Sequence, residues 1–215
     1  SSHRFVLAIV VIIAISAVSY ASPWTTALEF LGLSAPAETV EIQSAPQVET
    51  PSLMVTTVTT NGGSGLNPTY PDLASAITAL NAIPGGVTSS PTTITVTGTE
   101  TAPSGGFTIT ATGTVANPIV IDGQTTTTIT AFTPQASGVL HDAIFEIVGG
   151  DYITINGFTM LEDPANTTTA AGTNNMTEFG VALFYATTTN GAQNNTISNN
   201  TIDLNRTYQN TFAIY

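Results

Sequence analysis

The 215-residue chain has no cysteine and only two Lys or Arg residues, Arg4 and Arg206, against 14 Asp or Glu. Without cysteine there is neither a disulfide nor a thiolate metal site, so stability must come from packing and hydrogen bonding. A formal net charge of -12 leaves nothing to neutralise a phosphate backbone. That excludes nucleic acid as a partner and confines any membrane attachment to an apolar segment. With His3 and His141 far apart in the sequence, no zinc cluster or His-based triad assembles. Charged residues are also scarce, 7% against 42% hydrophobic, so the chain is not a disordered polyanion. What remains for the surface is Thr, Asn, Ser and Gly, residues that suit strands and turns and disfavour helix interiors. Composition therefore points to an all-β protein.

Residues 1–21 place Arg4 ahead of an apolar run from Phe5 to Val18, followed by small residues at Ser19 and Ala21. This is the pattern of an export signal, or of a membrane anchor if it is retained, although Pro23 interrupts a longer span. The chain starts at Ser1 without Met and stops at Tyr215 inside a strand-like run, and we read it as part of a longer protein. Residues 22–67 are expected to be largely irregular, because SAPAETVEIQSAPQVETPSLMVTTVTT, 34–60, has no sustained period. A helix is predicted over Tyr70 to Asn81, with Leu73, Ile77 and Leu80 on one face and Pro71 and Asp72 in its first turn.

Beyond Ser90, short β-like runs recur between Gly, Asn, Thr and Pro turns: 93–96, 107–110, 118–123, 144–149, 152–160, 180–185, 194–202 and 211–215. DYITINGFTM at Asp151 repeats as QNNTISNNTI at Gln193. A shift of 42 residues lays Thr154 on Thr196, Ile155 on Ile197, Thr159 on Thr201 and Met160 on Ile202. Each copy is preceded by an apolar run, and the turn-rich stretch 161–178 reads as a loop inserted between strands. Like residues kept in register at whole-unit spacing are what stacked parallel strands of a solenoid need, whereas a β-sandwich leaves the repeat unexplained.

Taken in order, TYPDLASAITALNA, TATGTVANPIVIDG, DYITINGFTM and NNTISNNTIDLN resemble the right-handed parallel β-helix repeat proteins of pectin-lyase-like fold. More narrowly they are similar to Thr- and Asn-rich surface proteins of bacteria that use type IX secretion. The resemblance covers Pro68 to Tyr215. It implies a domain over 68–215 in which the helix caps one end and Asn194, Asn195, Asn199 and Asn200 form side-chain ladders at the bends. It also implies a secreted or cell-surface location.

Candidate chemistry is thin. Polysaccharide β-elimination needs a cationic base beside a carboxylate-bound cation, and the only base outside the export segment is Arg206, with Asp203 nearby. Glycoside hydrolysis needs two carboxyl groups flanking a bond. Asp142, Glu146 and Asp151 are close in sequence, and strand alternation sets Glu146 against Phe145 with an inward direction open to it. Asp151 reads as a turn residue. Glu162, Asp163 and Glu178 bracket the inserted loop as a candidate Ca²⁺ site, but they lack the ordered spacing of a dedicated loop. Tyr152, Tyr185 and Tyr208 are candidate stacking faces for sugars. No residue is assigned a catalytic role and no cofactor beyond that Ca²⁺ is expected. The expected function is a non-catalytic, adhesin-like or glycan-binding scaffold. The alternative is the N-terminal part of a polysaccharide lyase or glycoside hydrolase whose active site lies past residue 215.

Overall fold

The computed structural model describes residues 56–132, 142–170, 175–205 and 211–215. The export segment 1–21, His141, Arg206 and Tyr208 lie outside them. The class is all-β: among the described residues twelve strands form two sheets, with one short α-helix. Sheet A runs in the order β10-β8-β6-β3-β1-β2, from β1 (Thr57–Thr60), β2 (Thr69–Tyr70), β3 (Thr92–Thr97), β6 (Ile119–Thr130), β8 (Ile153–Leu161) and β10 (Thr196–Ser198). Two short strands extend it, β4 (Thr99–Thr101) beside β6 and β11 (Thr201–Asp203) beside β8. Sheet B has the order β12-β9-β7-β5, from β5 (Phe107–Ile109), β7 (Ala143–Val148), β9 (Phe179–Phe184) and β12 (Phe212–Ile214).

From β5 onward every strand pairing is parallel, and the chain alternates between the sheets except that β10 and β11 follow one another in sheet A. Successive strands therefore never form a hairpin. β7 and β8, separated in the chain only by residues 149–152, belong to different sheets.

The repeat read from the sequence is the register of the structure: Thr196 pairs with Thr154, Ile197 with Ile155, Thr201 with Thr159 and Ile202 with Met160. Ile121, Ile155 and Ile197 form one file across β6, β8 and β10. Inward-facing Ile94, Ile119, Ile121, Ile153 and Ile155 are fully buried, which is how a two-residue side-chain period fills a core. From sheet B, Phe145 packs its ring 5.1 Å from Phe107 and 5.2 Å from Phe158.

The bends repeat as well. Tyr152 and Asn194, 42 residues apart, both take left-handed φ, 55° and 56°. So do Gly157 and Asn199, at 73° and 53°. Gly and Asn tolerate that region, whereas a bulky Tyr does so only when its surroundings impose it. Here Tyr152 N–H donates to Gln193 O, and Tyr152 O accepts from Ile119 N–H.

The expected asparagine ladder takes a particular form. Asn195 Oδ1 accepts from Ile153 N–H and its Nδ2 donates to Gly150 O, each at 2.9 Å. Asn200 likewise accepts from Phe158 N–H at 2.8 Å and donates to Ile155 O at 2.9 Å. These amides brace the backbone of the preceding strand rather than stacking on like amides. Asn199 does bond an amide, donating to Asn156 Oδ1, and Asn156 donates in turn to Asp122. Asn194 contributes the left-handed bend. Asn200→Ala removes both partners from two backbone groups and should cost about 1–3 kcal/mol, read as a lowered urea midpoint with unchanged slope.

The helix α1 spans Leu73–Asn81, shorter than predicted because Tyr70 is in β2 and Asp72 is its N-cap, accepting from Ser75 N–H at 2.7 Å. Leu73, Ile77 and Leu80 are buried, as the spacing required. At the other end Asn81 donates to Thr108 O and accepts from the N–H groups of Thr110 and Ala111. The helix thereby occupies the free edge of β5.

One boundary is corrected. The linker expected over 22–67 ends earlier, because Thr57–Thr60 is strand β1, antiparallel to β3 and to β2. Val58 supplies the reason: it is buried opposite Val96, so a Pro-rich neighbourhood still yields a strand where one apolar side chain reaches the core.

Candidate functional site

In sheet B, Phe145 and Ile147 face the core, so Glu146 points to the opposite face, correcting the inward direction considered for it. It is nonetheless only 4% exposed. Its cross-strand neighbour in β5 is Thr108, whose hydroxyl lies 3.5 Å from Glu146 Oε2. Two further acids come to the same face. Ala143 pairs with Phe179, which sets the residues just before them, Asp142 and Glu178, side by side. Asp142 O accepts from the backbone N–H of Glu178 at 2.9 Å and of Phe179 at 3.0 Å.

Asp142 is 2% exposed and Glu178 8%. Burial, then the charge of Glu178, then that of Glu146, push the Asp142 carboxyl up to about 7. Its Oδ2 is enclosed without a hydrogen-bond partner among the described residues. A carboxyl that keeps its proton near neutrality beside carboxylates is the arrangement acid–base chemistry uses. Hydrolysis of a glycoside, however, also needs room for the sugar between the carboxyl groups, and these three are enclosed.

The other predicted site residues are dispersed. Asp151 is a turn residue, as expected: its carboxylate accepts from Gln193 N–H at 2.7 Å. Glu162 and Asp163 line an open cleft at the end of β8 together with Leu161, Asp203 and Asn205, whereas Glu178 sits in the acidic cluster. Glu162 is engaged within its own loop, accepting from Asn166 Nδ2, Thr177 Oγ1 and Thr177 N–H at 2.7–3.0 Å. Asp163 accepts from Ala165 N–H. Among the described residues no three acidic or histidine side chains are grouped to hold a metal ion. Tyr152 is half-buried in its bend, and Tyr185, 73% exposed, lies at the end of β9 against Gly191.

Pairing of Asp142 with Glu178 escaped the sequence reading. The signal was present: each acid immediately precedes an apolar run of the same length, AIFEIV and FGVALF. No protein-family model, no curated protein and no solved structure matches the chain. Among the described residues no helix is long and apolar enough to cross a membrane.

Proposed function

We propose that the chain forms a right-handed parallel β-helix that works, without catalysis, as a rigid module outside the cell, adhesin-like or glycan-binding. The observation that carries this reading is the alternation of parallel strands between two sheets, with β10 and β11 stacked on β8 at the 42-residue offset. Each circuit of the chain adds one strand to sheet B and one bent strand to sheet A, the arrangement of a coil. In that reading α1 and the β1–β2 pair cover the first coil, and an open end of such a stack is an edge that needs covering. The apolar run at 5–18 supports export. Tyr185, exposed on the loop side, is the stacking group most available to a sugar.

A carbohydrate-active enzyme is the second reading, favoured by the proton-holding Asp142 beside Glu178. One assay separates the two. The chain is incubated with uronate and neutral polysaccharides, and unsaturated or reducing ends are measured, alongside retention on neutral-glycan columns. Uronate polymers should be left intact with or without Ca²⁺, because two cationic residues in a chain of net charge -12 supply no positive environment for the substrate. Retention without turnover supports the binding module. Turnover of a neutral glycan that disappears in Asp142→Asn and Glu178→Gln overturns it.

A further inference from the structure

On the outer face of sheet A, Thr99, Thr128, Thr159 and Thr201 lie in one unbroken file across β4, β6, β8 and β11. Two positions along, Thr101 and Thr130 begin a second file, which Leu161 and Asp203 continue. Three of these six threonines are exposed and three half-buried, as expected for residues flanked by neighbours on an open sheet face.

The two halves of this face use their polar groups differently. Before the bend, Asp122, Asn156, Ser198 and Asn199 bond one another. After it, none of the six threonine hydroxyls has a protein partner among the described residues. Strand geometry spaces such groups about 4.8 Å apart between strands and about 6.6 Å apart along a strand. β-Branching restricts each χ1, so hydroxyl and methyl are held in set directions. Sheet twist would spoil the array, and the side-chain bonds by which Asn195, Asn199 and Asn200 tie one strand to the next work against it.

We propose that this threonine array is an ice-binding surface. Neither charges nor rings occur among the six side chains, and Asp203, which ends the second file, is negative, so an acidic polymer finds no counter-ion and a sugar ring no aromatic plate. A solid whose surface repeats neutral hydrogen-bonding oxygens on the scale of strand spacing matches both features of threonine. The hydroxyls take lattice positions and the methyls fill the gaps between them. Ordering liquid water over the array costs entropy, whereas water in ice is already fixed. The inference rests on strand register alone and goes beyond the glycan-binding function proposed above.

The test grows ice slowly in a solution of the full chain and measures the protein fraction incorporated, with an inert globular protein as reference and ice recrystallisation as a second readout. The chain should be enriched in ice over the reference. Thr128→Tyr with Thr159→Tyr should reduce incorporation at least roughly tenfold, since the contacts act together. Thr128→Ala with Thr159→Ala should reduce it in the same direction, and circular-dichroism melting verifies that each variant is folded. Thr93→Tyr, on the other half of the face, should leave incorporation unchanged. Exclusion of the unmutated chain from ice, or equal incorporation of folded variants, overturns the proposal. Retention on microcrystalline cellulose with exclusion from ice overturns it while leaving the glycan-binding function standing. Incorporation into ice without retention on any polysaccharide supports it and counts against that function.

Discussion

Ile155→Asp is expected to remove most of the folding stability, while Thr154→Asp, one residue away, leaves it nearly unchanged. Ile155 is fully buried, between Ile121 on one side and Ile197 on the other. A carboxylate there lies within the apolar core, between two isoleucines. Burying an unpaired polar or charged group costs several kcal/mol, and domains of this size are stable by about 5–15 kcal/mol in total. Ile155→Val, which deletes one methyl, should cost only about 1 kcal/mol. Thr154 points to solvent on the other face, so its replacement tests the register itself: a slip of one residue exchanges the two faces of a strand. Urea unfolding followed by circular dichroism gives the comparison. Equal midpoints for the two Asp variants would mean that the register is wrong.

The stacking of Ile155 on Ile197 was legible in the sequence because the repeat is an arithmetic property of stacked strands, whereas Ile121 joins the file at a different spacing. Where one unit lies on the next, like residues recur at the stacking distance, and the bends recur with them. Less was legible where the chain departs from alternation. β4 and the second half of β6 lie in threonine-rich runs in which no apolar period shows. Thr127 nevertheless points inward, fully buried, with its hydroxyl donating to Val96 O at 2.6 Å. A threonine can satisfy its own hydroxyl and pass for a core residue, which hydropathy alone does not register. β1 was hidden for another reason: its partner β3 begins 32 residues later, and the pairing is antiparallel. The acidic cluster is likewise a product of long-range register, uniting residues 36 apart that local patterning treats as two separate loop ends.

The cluster yields the second large effect, on pH dependence. Asp142 titrates near its ordinary 3.8 in the unfolded chain and is pushed up to about 7 in the fold. Between those values the folded state holds a proton that the unfolded state has released. Stability attributable to this group is therefore fully present below about pH 4, declines as pH rises through the interval, and levels off above about pH 7. At about 1.36 kcal/mol per unit the decline is at most about 4 kcal/mol. Asp142→Asn keeps the shape and removes the titration. The variant should melt close to the unmutated chain at pH 4 and well above it at pH 8, and taking the difference between the two proteins cancels carboxyl groups that do not interact with Asp142, such as Glu100, whose carboxyl burial also pushes up. Glu178→Gln should produce a smaller change of the same sign, because its charge ranks after burial in raising Asp142. Thermal melts at half-unit steps from pH 4 to pH 8 give the curve. If Asp142→Asn is no more stable than the unmutated chain at pH 8, the carboxylate is accommodated in its charged form and the enclosed cluster does not oppose the fold.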